Sequence, residues 1–348
     1  MAHRIIGGMF GLESGPLAGR RGVPEAFPGV YGLRQVRLAT ARSALSLLDE
    51  ELKPAHVWLP SYLCPVVLPI FGERVRFYPV SEDLQIEDVG WLDRISPGDL
   101  AVFVDYFGFR DWDAVGLKAR ARGAWIVEDA AQALLNSGFS PAAHYVVTSP
   151  RKFVGVPDGS TLIAQGDALL PPRPLPPPPV DWWNTALLAS TRRHAFDRGD
   201  GNREWFSSFR AAEADGPGFP CAMSELSAHL LAHVVDWDIV AARRRANYSY
   251  LSAALDEIAI RPELADGVVP LGFPVRLPAR DRVRDRLCAA EIYPPIHWAI
   301  AGFVPLEFRG SHRLSETILT IPCDQRYEPS LLARAVECLA GVTSTSIQ

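Results

Sequence analysis

Four residues near the middle of the chain bring together the functional groups that one cofactor needs. Asp129 and Gln132 lie in Trp125-Ile-Val-Glu-Asp-Ala-Ala-Gln132, and Ser149 and Lys152 follow in Thr148-Ser-Pro-Arg-Lys152. The apolar run Ala124–Val127 reads as a buried strand that ends on two carboxylates. His144–Thr148 reads as a second buried strand that ends on a hydroxyl and then an amine. Open α/β sheets bind ligands outside the carboxyl ends of their strands, so the four side chains are expected to face one crevice. Pyridoxal phosphate (PLP) needs an amine for its aldehyde and a carboxylate for its pyridinium nitrogen, and this set supplies both. Each residue alone has an ordinary structural role: Asp and Ser after a strand commonly cap a helix, and a loop lysine is commonly solvated. The combination points to a cofactor site.

Glu128-Asp-Ala-Ala-Gln132, then Ser149 and Lys152 ahead of Gly155-Val-Pro-Asp-Gly159, resembles the DegT/StrS family of PLP-dependent aminotransferases, best known for aminating nucleotide-linked keto sugars. The resemblance runs over most of the chain. It implies a fold-type I α/β architecture: a large domain over 1–240 with a mostly parallel sheet and an N-terminal arm at 1–30, and a small α+β domain over 241–348. It implies that Lys152 holds the cofactor as a Schiff base and shuttles the proton, and that Asp129 keeps the pyridine nitrogen protonated. Gln132 would contact the ring or its phenolic oxygen. Ser149, with Arg42 and Ser43 in a turn matching the family's Gly-Thr/Ser-Ala, would hold the phosphate.

The resemblance has two departures. The register that places a stacking aromatic four residues after Pro60 lands on Cys64, which leaves Tyr62 as the substitute ring. The family's Asn-Tyr-Arg, which reaches the partner subunit's phosphate, is replaced by Gly218-Phe-Pro-Cys-Ala222. Tyr293-Pro-Pro-Ile-His-Trp298 is similar to the family's Pro-x-His-Trp turn. His297 is therefore a candidate for the substrate entrance, or else a structural histidine packed on Trp298. The implied activity moves an amino group from Glu or Gln to a keto acceptor, a nucleotide-linked sugar or a secondary-metabolite intermediate, in a homodimer. The alternative is a protein of the same fold that serves as a binding or regulatory subunit without transaminase activity.

The elements that must position these groups follow a repeated strand–helix order. Val36–Leu48 reads as a short strand, a turn and an amphipathic helix, with Arg42 and Ser43 at the helix N-terminus, where free N–H groups favour a phosphate. Strands are expected at His56–Pro60, Arg74–Val80, Asp99–Val104 and Ser160–Ala164, and a helix over 111–122. Such βα units imply a mostly parallel sheet with right-handed crossovers. Beyond Pro171–Pro179, which favours an extended polyproline spacer, helices are expected over 181–193, 223–237 and 241–251, with a polar, mobile stretch at 199–218 after the first. The triplet Arg243–Arg245 reads as a solvated helix face. His229 and His233 lack a carboxylate ligand pattern that would make a zinc site.

The net charge of −5 offers no footprint for nucleic acid or an anionic membrane. Five scattered cysteines, none in a metal-type pair, fit a reducing, cytoplasmic setting. No window approaches a transmembrane span.

Overall fold

A computed structural model describes residues 5–15, 33–170 and 173–343. Its elements in chain order are β1 (Ile6–Gly7), β2 (Arg34–Leu38), α1 (Ala41–Leu52), β3 (Val57–Pro60), α2 (Leu68–Phe71), β4 (Val75–Tyr78), β5 (Leu100–Val104), α3 (Asp113–Ala121), β6 (Trp125–Ala130), β7 (Tyr145–Thr148) and β8 (Ser160–Ala164). There follow α4 (Val180–Asp197), α5 (Glu204–Ala214), α6 (Glu225–His233), α7 (Trp237–Leu255), β9 (Phe273–Arg276), α8 (Arg280–Ala289), β10 (Ile292–Tyr293), α9 (Arg309–Thr317), β11 (Ile318–Ile321) and α10 (Pro329–Thr343).

The main sheet has seven strands in the order β2-β8-β7-β6-β5-β3-β4. From β7 through β4 every pairing is parallel, while β8 runs antiparallel to both of its neighbours. Its central strands are continuous apolar runs because both faces are covered: all five residues of β5, Leu-Ala-Val-Phe-Val, are buried. β6 and β7 lie side by side with Asp129 opposite Val147, so the two strands deliver their carboxyl ends to the same edge of the sheet.

A second apolar cluster gathers Tyr248, Leu251 and Leu255 of α7, Phe273 and Val275 of β9, and residues of α8 and α10. β9 pairs antiparallel with β11. Of the arm expected at 1–30, the described part, residues 5–15, packs on its own chain: Ile6 and Gly7 pair in parallel with Ile292 and Tyr293.

Three expectations are corrected. The stretch 199–218 contains α5, held on α4 through buried Trp205, whose ring lies 4.6 Å from the buried Arg193 guanidinium. The two helices expected at 223–237 and 241–251 are both present with their boundary shifted: α6, capped by Ser224, ends at His233, and α7 begins at Trp237, where Asp236 accepts from the Ile239 N–H. The arginine triplet is not a solvated face: Arg244 is fully buried, while Arg243 pairs with Glu328 and Arg245 donates to the Ala265 carbonyl. Among the described residues no helix is long and apolar enough to cross a membrane.

Candidate active site

Lys152 ends a tight turn that starts where β7 stops. Pro150 fixes the first backbone angle of this turn, and the Lys152 N–H donates to the Ser149 carbonyl at 3.1 Å. One strand over, Asp129 is the fifth residue of β6, and its Oδ1 accepts from the Ala131 N–H at 3.0 Å. Asp129, Gln132, Ser149 and Lys152 all line one cleft, as their positions at the strand ends predict.

The cleft is polar at these groups and apolar elsewhere. Leu59, Val102 and Val104 from β3 and β5 contribute, with Leu63, Val66 and Val67 from the loop after β3. Burial pushes the Asp129 carboxyl up, against the charge of Lys152 and the Ala131 N–H, which both hold it down. A carboxylate in that position favours a cationic partner in the cleft. The Gln132 Oε1 accepts from the Phe107 N–H at 2.7 Å, whereas its Nε2 is buried with no hydrogen-bond partner. A buried, unpartnered amide costs stability unless a ligand accepts from it.

Arginines and one carboxylate line the cleft as well. Arg42, the second residue of α1, donates to the Glu213 carbonyl at 3.1 Å, and Arg151 pairs with the Glu213 carboxylate at 2.6 Å. Burial works to raise the Glu213 carboxyl, but Arg151, Arg42 and Lys152 hold it below the usual range. Sequence reasoning missed Glu213 because it assigned no element to 199–218. Trp205, Ser208 and Ala212, the buried residues of α5, recur at helical spacing and could have revealed the helix.

The chain 217–221 covers the N-terminus of α1. Thr40 caps the helix by accepting from the Ser43 N–H, and its hydroxyl donates to the Pro217 carbonyl at 3.1 Å. Gly216 passes so close to Arg42 that a Cβ there would meet the guanidinium Nη2 at 1.9 Å, so a side chain at 216 would push that guanidinium aside. The Ser43 hydroxyl is turned into this contact, toward Pro217 and Cys221, and away from the cleft.

Tyr62 does not face the cleft. It is fully buried, its ring 5.5 Å from Trp298 and 5.8 Å from Tyr106. Cys64 does line the cleft, and the aromatic ring among the lining residues is Trp298. His297 stands behind it, edge-on to Phe107, with Nδ1 2.9 Å from the Thr320 hydroxyl. Burial, and then Lys152, push its imidazole down to about 3, so it is neutral.

The residues present fit PLP: an amine, a carboxylate in want of a cation, an unpartnered amide donor, and guanidinium groups suited to a phosphate. Among the described residues no group of three or more histidine, cysteine or acidic side chains could hold a metal ion.

No family model matches the sequence, and no curated protein matches it. Solved structures do. DesV of S. venezuelae shares 21% identity over 88% of this chain and 83% of its own, with a TM-score of 0.62. A DegT DnrJ EryC1 StrS aminotransferase from Brucella abortus shares 16% over 89% and 86%, at 0.63. Sugar aminotransferase Spr1654 from Streptococcus pneumoniae, described as putative and solved in apo, PMP and PLP forms, shares 14% over 90% and 88% in its apo form, at 0.66. The chain thus carries the fold-type I architecture of the DegT/DnrJ/EryC1/StrS aminotransferases.

Proposed function

We propose that this protein is a PLP-dependent aminotransferase that moves an amino group from glutamate or glutamine to a keto acceptor, a nucleotide-linked keto sugar or a related secondary-metabolite intermediate. The observation that carries the reading is the convergence of the Lys152 amine, the Asp129 carboxylate and the unpartnered Gln132 amide on one cleft. When bound, PLP supplies an aldehyde for an amine and a ring that takes up the electrons released when a substrate C–H bond breaks.

The chain's own residues do the rest. Lys152 would supply the amine that holds the cofactor, and its Nζ would carry the proton during the reaction. Asp129 holds a proton on the ring nitrogen by ion pairing. Gln132 donates its free N–H to the ring oxygen. Arg42 and Arg151, with Ser149 beside them, bind the phosphate, and Trp298 with the aliphatic lining excludes water. Ser43 contributes through its backbone at the α1 N-terminus, and Cys64 stands where the resembled family places a ring. His297 acts through Trp298. The large unit spans 1–240 and the small one 241–348, and the working form is a cytoplasmic homodimer.

Titrating the purified protein with PLP tests the reading. A protein-bound visible band is expected, fading when glutamate or glutamine is added. Lys152→Ala should abolish both the band and turnover. Full turnover in Lys152→Ala sinks the assignment, and no band in the wild type moves the binding-subunit alternative ahead.

A further inference from the structure

The residue after Lys152 is held by side chains from outside the main sheet. The Phe153 carbonyl accepts twice: from Arg244 Nη2 at 3.1 Å and from Gln325 Nε2 at 2.7 Å. Arg244 belongs to α7 and Gln325 follows β11, so both lie outside the sheet that carries Lys152. The same guanidinium donates through Nη1 to the Pro270 and Leu271 carbonyls and through Nε to Gln325 Oε1. It lies 4.5 Å from the centre of the Phe153 ring, with the Phe10 ring 5.8 Å away.

Burying a charge fully is costly; the buried Asp324 carboxylate acts on this one through space, but no carboxylate shares its hydrogen bonds. A purely structural core would be served more cheaply by an apolar side chain of this size. What arginine adds is a rigid planar fork with five donors, able to fix several carbonyls in one plane. One of those carbonyls follows the lysine directly. The N-terminal segment closes over the same turn: the Glu13 N–H donates to the Gly155 carbonyl at 2.8 Å, and the Gly155 N–H to Glu13 Oε1 at 3.0 Å. A Cβ on Gly155 would meet the Gly11 carbonyl oxygen at 1.6 Å.

We infer that Arg244, with Gln325, is a positioning residue that aims the Lys152 amine into the cleft by fixing the Phe153 carbonyl. This rests on the proposed function for what the amine does there. A lysine turn pinned from the opposite unit also couples the placement of the amine to the seating of α7 and β11.

The test uses the full chain and its small number of lysines: Lys152 has only Lys53 and Lys118 as companions. Wild type, Arg244→Gln and the milder Gln325→Met, neither of which adds a lysine, are incubated with PLP and reduced with borohydride, and the adduct is assigned by peptide mass spectrometry. Amide hydrogen exchange over 149–156 is followed in parallel without PLP.

In the wild type the adduct should fall on Lys152. In each variant that folds, the Lys152 share should drop by about tenfold or more, as expected when a reacting group is misplaced by about an ångström. The PLP adduct at Lys53 and Lys118 should not change, and exchange should quicken at Phe153, Val154 and Val156. A role confined to stability would lower the melting temperature without moving the lysine share. An unchanged Lys152 share in the folded variants overturns the inference, whatever exchange does. If the wild type itself shows no preference for Lys152, the cofactor reading falls. The positioning claim is then judged by exchange alone, and unchanged exchange at those amides overturns it.

Discussion

Asp129 carries more of the proposed chemistry than its single carboxylate suggests. Burial raises its carboxyl, and Lys152 and the Ala131 N–H counter that only in part. A protonated ring nitrogen would supply the missing positive charge, and the carboxylate would in turn hold that proton in place. Asp129→Asn keeps the shape and an oxygen for the Ala131 N–H but removes the charge. Reductive trapping of PLP on Lys152 should persist in this variant while turnover falls by about a hundredfold or more, the scale of losing one preorganised electrostatic group. Comparing trapping with steady-state rate checks this, and turnover within a few-fold of wild type would remove Asp129 from the reaction. This residue was legible in the sequence because an apolar strand ending in acid fixes where the carboxylate goes. Tyr62 was not, since it lies in an irregular loop where no periodicity sets the direction of a side chain.

Between residue and molecule, the elements decide which charges meet. Helix α5 brings Glu213 to Arg151 and Arg42, so the basic end of the cleft is partly neutralised from within the chain. A phosphate arriving there competes with that carboxylate for Arg151, and with the Glu213 carbonyl for Arg42. Glu213→Gln should therefore tighten PLP binding by about five- to tenfold, the scale of one charge-assisted contact near a surface. Fluorescence titration of wild type and variant reads this directly. Weaker binding in Glu213→Gln would mean that the carboxylate orients the two arginines for the phosphate instead of competing with it. Legibility at this scale followed periodicity. The strands and α1 were readable from apolar runs and a cap, and the site edge of the sheet came with them. Helix α5 was hidden by the polar, glycine-containing sequence around it. Arg244 was misread although the signal was present: with Tyr248, Leu251 and Leu255 it follows a 4-3-4 spacing that defines the buried stripe of α7. Charge type alone points such a residue to solvent, and a paired or multiply bonded arginine defeats that rule.

For the molecule as a whole, buried titratable groups set opposite limits on the pH range of stability. On the acid side, His144 is pushed down to about 4 by burial and then by Arg120, and its Nδ1 accepts from the Ile126 N–H at 3.0 Å, which ties β6 to the start of β7. His297 is likewise neutral in the fold. Both take up a proton more readily when unfolded, so the stability they lend is present above about pH 6.5, the ordinary histidine value, and is lost as pH falls below it. On the alkaline side stand Asp105 and Glu128, a buried carboxyl pair. Burial, and then Glu128, push Asp105 well above the usual carboxylate range, while Glu128 accepts from Arg110 and from the Ser140 N–H at 2.7 Å. Asp105 therefore holds the shared proton, with its Oδ1 accepting from the Trp112 indole at 2.7 Å. The folded chain retains a proton that the unfolded chain releases near pH 4, so this contribution is fully present below that pH. It declines as pH rises, by at most about 1.4 kcal/mol per pH unit for one proton. Asp105→Asn replaces the neutral acid with a neutral amide that can still accept from Trp112 and donate to Glu128. Melting temperatures measured from pH 5 to 9 should show the variant gaining on the wild type as pH rises. The acid limb set by the histidines should remain in both. A constant offset between the two curves at every pH would show that Asp105 does not hold the proton and that the pair is ionised throughout the folded range.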